Sequence, residues 1–549
     1  MPNQLKHNSV YASVLFISIV LFTCPAWSQR VERTIQSWRP VHYSVNIAFN
    51  EQFSEIKAST EIDVEILKPS VDRIDIQFGE LAVDSVMLQA KPARFQRQPG
   101  VLSISLPQAE NKGTRLKVLV SYHGRPKDGL VLTKDKDGFP SATGDNWPDR
   151  VHNWIPSLDH PSAKAPVTFT VTAPERDYAI ANGRLVSRTS NPDKTVTWVY
   201  DESAPIPPYC MVIAVDQFVI SGPASRPWLT FAVPPSDRAL AAEFAPAEQI
   251  LDFFSAKIAE YPYKKLALII GATQFGGMEN SGAIVFPSNF LHRANGELLT
   301  SAFHIPLHVE ETTAHEIAHQ WFGDSITEST WADLWLSEGF ATYLSGLFTE
   351  KYEGKVPFDE YMKRQANGYF AYEKQNLTPI HDTQTKDLFK LLNPNNYNKG
   401  AWVLHMLRGL VGDDLFFAGL RDYYRAHLGG NADTEGLRKA MEKASGRDLK
   451  SFFDRWVYGS GHPVFEVALA VSQQTDVNVV DVRIIQRQNT PPFLITVPIL
   501  VKTTAGETRK DVVLTGEKTI VSIPLTAPGR PLSVALDPDN IVLKEIVER

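Results

Sequence analysis

His315-Glu316-Ile317-Ala318-His319-Gln320-Trp321-Phe322-Gly323 is the stretch on which the reading of this 549-residue chain turns. Histidines four positions apart project from one face of a helix, close enough to grip one metal ion. The flanks predict a helix. Pro306 suits a first-turn position, Glu310 and Glu311 follow it, and Gly323 suits the stop. Glu316 lies about 100° round the helix from His315, so it flanks the metal instead of binding it. A His2Glu zinc site with one open position needs a third ligand from another element. Glu338 is the candidate, in Trp331-Ala332-Asp333-Leu334-Trp335-Leu336-Ser337-Glu338-Gly339-Phe340-Ala341-Thr342-Tyr343, which reads as a second helix packed on the first. A bare HExxH also arises by chance, and the combination with Glu338 sets this chain apart from that case. The metzincin extension is excluded, because Phe322 and Ser325 stand where it wants Gly and a third His.

The length predicts roughly three or four domains. Hydrophobic content of 43% and charged content of 21% are ordinary for globular protein, so sizeable cores are available. A net charge of −7, with no Lys/Arg cluster, gives no footprint for nucleic acid. The first residues read as an address. Lys6 precedes an apolar run over residues 10–22, and Ala26-Trp27-Ser28 offers small residues at the −3 and −1 positions of a cut. That run is too short to span a bilayer comfortably. The expectation is a signal peptide over residues 1–28 and an exported protein, periplasmic or secreted, with no stable membrane span once the signal is removed. Cys24 as a lipidated cysteine is the alternative, which Phe22-Thr23 fits poorly. Removal of the signal leaves Cys210 as the one cysteine, expected as a small hydrophobe in a strand.

From Val31 to about Pro235 the apolar period is two. Tyr43, Val45, Ile47 and Phe49 alternate with polar or small residues, as do Ile62, Val64 and Ile66, then Val167, Phe169 and Val171. This predicts an antiparallel β domain with one buried face over residues 29–235. Ile250, Leu251, Phe254 and Ile258 then mark an amphipathic helix, and residues 266–270 and 282–286 read as strands around a Gly276-Gly277-Met278-Glu279-Asn280 loop. Helices dominate after Pro306, including one with Val403, Met406, Leu407 and Leu410 on a face, so residues 236–458 read as an α/β domain becoming mostly α. Gly459-Ser460-Gly461-His462-Pro463 looks like a linker, and renewed alternation predicts a small β-sandwich over residues 459–549.

A zinc ion held by His315, His319 and Glu338 would carry a water in its open position and lower its pKa to about 7. Glu316 is placed to take that water's proton and hand it to a leaving amine. The residues alone therefore yield a zinc hydrolase of an acyl bond, without saying which.

HEIAHQW, the 18-residue gap from His319 to Glu338 and WADLWLSEGFATY together resemble the zinc aminopeptidases of the aminopeptidase N family. Thermolysin-type endopeptidases are one residue longer in that gap. The resemblance implies a multidomain α+β protein with a saddle-like N-terminal β domain, a thermolysin-like catalytic domain and a C-terminal β-sandwich. It implies one zinc ion per chain and peptide substrates with a free N-terminus. The GGMEN loop is similar to the family's GxMEN motif, whose glutamate, here Glu279, binds the substrate's α-amino group. Gly276, Gly277, Met278 and Asn280 become substrate-binding candidates with it, and Met278 a floor for the first specificity pocket. Tyr397, in Tyr397-Asn398-Lys399-Gly400-Ala401, matches the family's oxyanion-stabilising tyrosine. Residues 154–161 (WIPSLDHP) are similar to a further stretch in the N-terminal domain.

Two departures qualify these expectations. Asp145 stands where many relatives carry a longer Gln or Glu that helps hold the amine; a loop cap beside Pro148 is the other reading. Ser345 stands where many relatives place an acid beyond the zinc ligands. Two other activities fit the resemblance: epoxide hydrolysis on the same zinc site, and a silent scaffold that has lost catalysis. His304 and His308 read as ordinary histidines.

Overall fold

A computed structural model describes residues 29–547, apart from residues 33–34, 294–298, 301–305, 308 and 470–476. The expected signal peptide over residues 1–28, with Cys24, and His304 and His308 therefore lie outside the described residues.

The N-terminal alternation becomes an eight-stranded sheet. Its long members run in the spatial order Arg184–Ser190, Thr195–Ile206, Ala165–Pro174, Trp38–Phe49, Ile56–Ile66, Arg115–Gly124, Ala82–Leu88. Tyr43, Val45, Ile47 and Phe49 are buried, as are Ile62, Val64, Ile66, Val167, Phe169 and Val171, because a strand sends alternate side chains to one face. The pairing of Trp38–Phe49 with Ala165–Pro174 is parallel, whereas its pairing with Ile56–Ile66 is antiparallel. A four-stranded and a three-stranded sheet accompany the large one.

The next sheet carries the catalytic half. Leu229–Val233, Leu266–Gly271 and Ala283–Pro287 pair in parallel, and Val219–Ser221 adds an antiparallel edge. This sheet draws on residues upstream of 235, namely Val219–Ser221 and Leu229–Val233. Helices α1 (Ala247–Lys257), α2 (Val309–His319), α3 (Trp335–Tyr352), α4 (Lys355–Glu373) and α5 (Gly400–Val411) follow. Ile250, Leu251, Phe254 and Ile258 are buried against this group. In α5, Val403, Met406 and Leu407 are buried and Leu410 is exposed, so the apolar face is narrower than its pattern suggested.

Pro306 sits in a two-residue strand with Leu307, not in the first turn of α2; the helix begins at Val309. The C-terminal strands form a four-stranded and a three-stranded sheet. Val480, Val482, Ile484, Val497, Ile499 and Val501 join the same apolar core as the helices. The segment expected as a linker is tied in. His462 is buried, stacks on Phe370 at 4.3 Å and pairs with Glu373. Cys210 lies in a 3-10 turn, Pro208–Cys210, and not in a strand. Its thiol donates to Asp324 Oδ1 at 3.3 Å. The N-terminal unit docks onto the catalytic one through Lys164, whose Nζ donates to the carbonyls of Asp324, Ser325 and Gly430 at 2.8, 2.9 and 3.0 Å. No helix among the described residues is long and apolar enough to cross a membrane.

Candidate metal centre and substrate cleft

Helix α2 is packed between α1 and α3, and α3 brings Glu338 to the histidine pair. His315 and His319 face each other with Nε2 atoms 3.0 Å apart. Glu338 Oε2 lies 3.3 Å from His315 Nε2 and 3.4 Å from His319 Nε2. A tetrahedral zinc with bonds of about 2.0–2.1 Å requires donors roughly 3.3–3.4 Å apart, so these three atoms match one face of the tetrahedron. Glu338 Oε2 is also a buried oxygen with no hydrogen-bond partner. Three lone-pair donors converging in a largely buried place could hold a cation. The residues present fit zinc.

His319 is oriented from behind. Its Nδ1 lies 3.0 Å from Ser337 Oγ and 3.2 Å from the Phe322 carbonyl, contacts that turn Nε2 toward the metal position. Ser345 has no part in this: its hydroxyl donates to the Glu311 carbonyl at 2.7 Å. Ser337, one residue before Glu338, does the orienting.

Glu316 points to the GGMEN loop. A β-carbon built on Gly277 would fall 2.4 Å from the Glu316 carboxyl carbon, so only glycine leaves room for that carboxylate. The loop is held as a near-strand. Met278 exchanges both backbone bonds with Val285, at 2.8 and 3.0 Å, and its side chain is buried among Trp147, Trp331 and Leu391. Asn280 Nδ2 reaches the Met278 carbonyl at 3.4 Å. Gly276 is open to its surroundings.

Gln320, overlooked in the sequence, fastens this loop to the zinc helix. Its Nε2 donates to the Glu279 carbonyl at 2.8 Å and to Asp324 Oδ2 at 2.9 Å, and its Oε1 accepts from the Gly282 amide at 2.8 Å. The sequence carries no signal for this role, because the full burial of Gln320 shows only in the fold. The Glu279 side chain is buried, and among the described residues its carboxylate has no hydrogen-bond partner on another residue.

Asp145 is differently engaged. Its Oδ2 accepts from Arg150 Nη2 and its Oδ1 from Thr273 Oγ1, both at 2.9 Å. Arg150 in turn lies over the rings of Phe275 and Phe389, 6.0 and 5.6 Å from their centroids. Both Asp145 oxygens thus have partners within the fold.

Tyr397 lies in a π-turn, Asn395–Lys399, that runs into α5. Asparagines hold that turn. Asn395 Nδ2 donates to the Thr378 and Pro379 carbonyls, Asn396 Nδ2 to the Leu391 carbonyl, and Asn398 Nδ2 to Gln365. Helices α3 and α5 cross where Gly339 meets Gly400, and a β-carbon on Gly339 would lie 2.9 Å from the Gly400 backbone. This close crossing sets Tyr397 beside the metal helix, its ring parallel to His315 with centroids 5.9 Å apart and planes 6° off.

Burial pushes Glu316 well above the usual carboxylate range, and Glu279 and Glu338 add to the shift. Burial likewise pushes Glu279 up to about 7. Burial opposes charge on Glu338 too, but His319 and His315 outweigh it and hold its carboxyl down to about 2. Burial pushes the Tyr397 phenol well above its ordinary value, and Glu338 and Glu279 reinforce it, so it stays a proton donor.

Fold and donor set together define a metallopeptidase architecture. The Peptidase M1 N-terminal domain matches residues 39–210, and the Peptidase family M1 domain matches residues 242–456. The chain belongs to peptidase family M1. It is 26% identical over 454 residues to a leucyl aminopeptidase of Saccharolobus solfataricus, covering 78% of this chain and 54% of that protein. A probable aminopeptidase 1 of the same organism is 30% identical over 424 residues, covering 74% of this chain and 50% of the relative. The chain thus spans about half the length of these relatives. An M1 zinc metallopeptidase from Deinococcus radiodurans, solved as a point mutant, shares the fold with a TM-score of 0.64 and 21% identity, over 78% of this chain and 96% of that one.

Proposed function

We propose that this chain is an exported zinc aminopeptidase that removes N-terminal residues from peptides. The observation that carries the reading is the placing of the buried Glu279 carboxylate on a loop that Gly277 and Gln320 press against Glu316 and the metal helix. A carboxylate in a water-poor cleft recognises an ammonium group strongly, and peptides offer one at the α-amine. Relatives named aminopeptidases support the same reading. Export rests on the pattern of residues 1–28.

When bound by His315, His319 and Glu338, zinc supplies Lewis acidity that polarises a carbonyl and makes a water more acidic. Glu316 accepts the proton of the attacking water and returns it to the departing amine. The Tyr397 hydroxyl donates to the oxygen that becomes negative as the carbonyl turns tetrahedral. Glu279 binds the α-ammonium and fixes one residue's length between it and the reacting bond. Asp145 steadies Arg150 and, through Thr273, the approach to the GGMEN loop.

The test compares free and N-acetylated peptides of one sequence. The free peptide should be trimmed from its first residue and the acetylated one cut very poorly, because acetylation removes the charge and adds bulk. Glu279→Ala should lower trimming by roughly 10- to 150-fold, the worth of a hydrogen bond to a charged group at about 1.5–3 kcal/mol. Asp145→Ala should cost distinctly less. Equal hydrolysis of blocked peptides at internal bonds would turn the reading into an endopeptidase.

A further inference from the structure

The first described residues make a fastening that the mechanism above does not use. The Arg30 amide donates to the Thr383 carbonyl at 2.8 Å, and its guanidinium donates to the carbonyls of Thr385 at 2.6 Å and Asp382 at 3.1 Å. The same guanidinium holds Glu32 Oε1 through Nε and Nη2, at 2.9 and 2.6 Å. The other oxygen of Glu32 accepts the backbone N–H of Trp331 at 3.1 Å and lies 3.8 Å from His160 Nε2. The Arg30 side chain is only 5% exposed. Burial pushes against charge on Glu32, yet His160 and Arg30 outweigh it and hold the carboxyl below its ordinary range.

Both ends of this fastening lead to catalytic groups. Trp331 opens the short turn, Trp331–Asp333, that feeds α3 and hence Glu338. Residues 382–385 follow Thr378 and Pro379, whose carbonyls receive the Asn395 amide, two residues before Tyr397. Asp382 shapes that loop by accepting from the Gln384 and Thr385 amides at 2.7 and 3.0 Å. A guanidinium fork on two carbonyls fixes a loop's direction as well as its distance, which a point charge does not. His160 belongs to the N-terminal unit, so residues 30–32 clamp three separate parts of the fold.

We propose that Arg30 and Glu32 are positioning residues, a strap that holds the 382–385 loop and the start of the Glu338 helix in register and so sets Tyr397 against the metal ligands. The inference rests on the aminopeptidase reading for its kinetic arm alone.

The experiment uses the full mature chain with zinc, as wild type, Arg30→Ala, Arg30→Lys and Glu32→Gln. In Arg30→Ala, kcat should fall about ten-fold with KM within two-fold of wild type, since a small misplacement of a reacting group is felt in turnover. Arg30→Lys should restore less than half of that loss, because it keeps the charge without the fork. Hydrogen exchange at the Trp331 amide should quicken at least about ten-fold in Glu32→Gln, where a neutral acceptor replaces a charged one. Zinc content and the unfolding midpoint report that each variant is folded, and Glu32→Gln is the milder change should Arg30→Ala fail to fold. Unchanged exchange at Trp331 together with kcat within two-fold of wild type overturns the strap. If the wild-type protein trims no peptide, the aminopeptidase reading falls by itself, and the exchange measurement still decides the strap.

Discussion

Glu316→Gln should lower peptide trimming by at least about 100-fold while zinc remains bound at one ion per chain. Glutamine keeps the size and the hydrogen-bonding reach of glutamate and removes only the ability to take a proton. The geometry makes this a clean substitution. The Glu316 carboxyl fills the place that a β-carbon on Gly277 would take, and the three converging donor atoms come from His315, His319 and Glu338 without it. Metal affinity and catalysis are therefore separable at this residue. Elemental analysis of the purified variant and the rate on a free-amine peptide are the two measurements. Near-normal turnover would remove Glu316 from the mechanism, and loss of zinc would place it among the ligands. A silent scaffold would give no rate to lose in the wild type, which distinguishes that reading at the same bench.

The metal helix was legible because its evidence is local. A four-residue spacing is a geometric statement about one helix, and α2 delivers it with two imidazole nitrogens 3.0 Å apart. The strands were legible for a similar reason, since a period of two needs no knowledge of neighbours. Partners across the chain were not. Nothing in the alternation of residues 38–49 announces a parallel neighbour at residues 165–174, because parallel pairing depends on a long crossover. Val219–Ser221 and Leu229–Val233 likewise look like any other strands until their partners are known. Pro306 misled because a proline suits both a helix start and an edge strand. His462 misled because a Gly-Ser-Gly run reads as a linker even where a buried histidine pins it.

In the site, short side chains and glycines carried more than composition could reveal. Gln320 looked like an ordinary polar residue on a helix, and its four polar contacts became visible only with the loop folded over it. Asp145 was read from its place in the chain. Its oxygens turn out to be shared between Arg150 and Thr273, and Thr273 lies 128 positions away. Gly277, Gly339 and Gly400 matter for what a methyl group would strike, which is a property of the neighbour and not of the glycine.

Tyr397→Phe should cost roughly 10²–10³-fold in kcat and leave KM nearly unchanged, the usual price of one oxyanion donor. The substitution deletes a single oxygen from a ring whose place is set by its surroundings. Asn395, Asn396 and Asn398 hold the π-turn, the Gly339–Gly400 crossing sets its distance from α3, and the ring lies parallel to His315. Phenylalanine keeps every one of these restraints, so a fall in rate reports the hydroxyl alone. Burial and the nearby Glu338 and Glu279 carboxylates keep the phenol protonated well above neutral pH, and a protonated phenol is what a developing oxyanion requires. Ground-state peptide carries no such charge, so its affinity should not move. The measurement is a full rate-against-substrate curve for both proteins at equal zinc content. A loss confined to KM, with kcat preserved, would make Tyr397 a substrate-binding residue and leave stabilisation of the oxyanion to the metal.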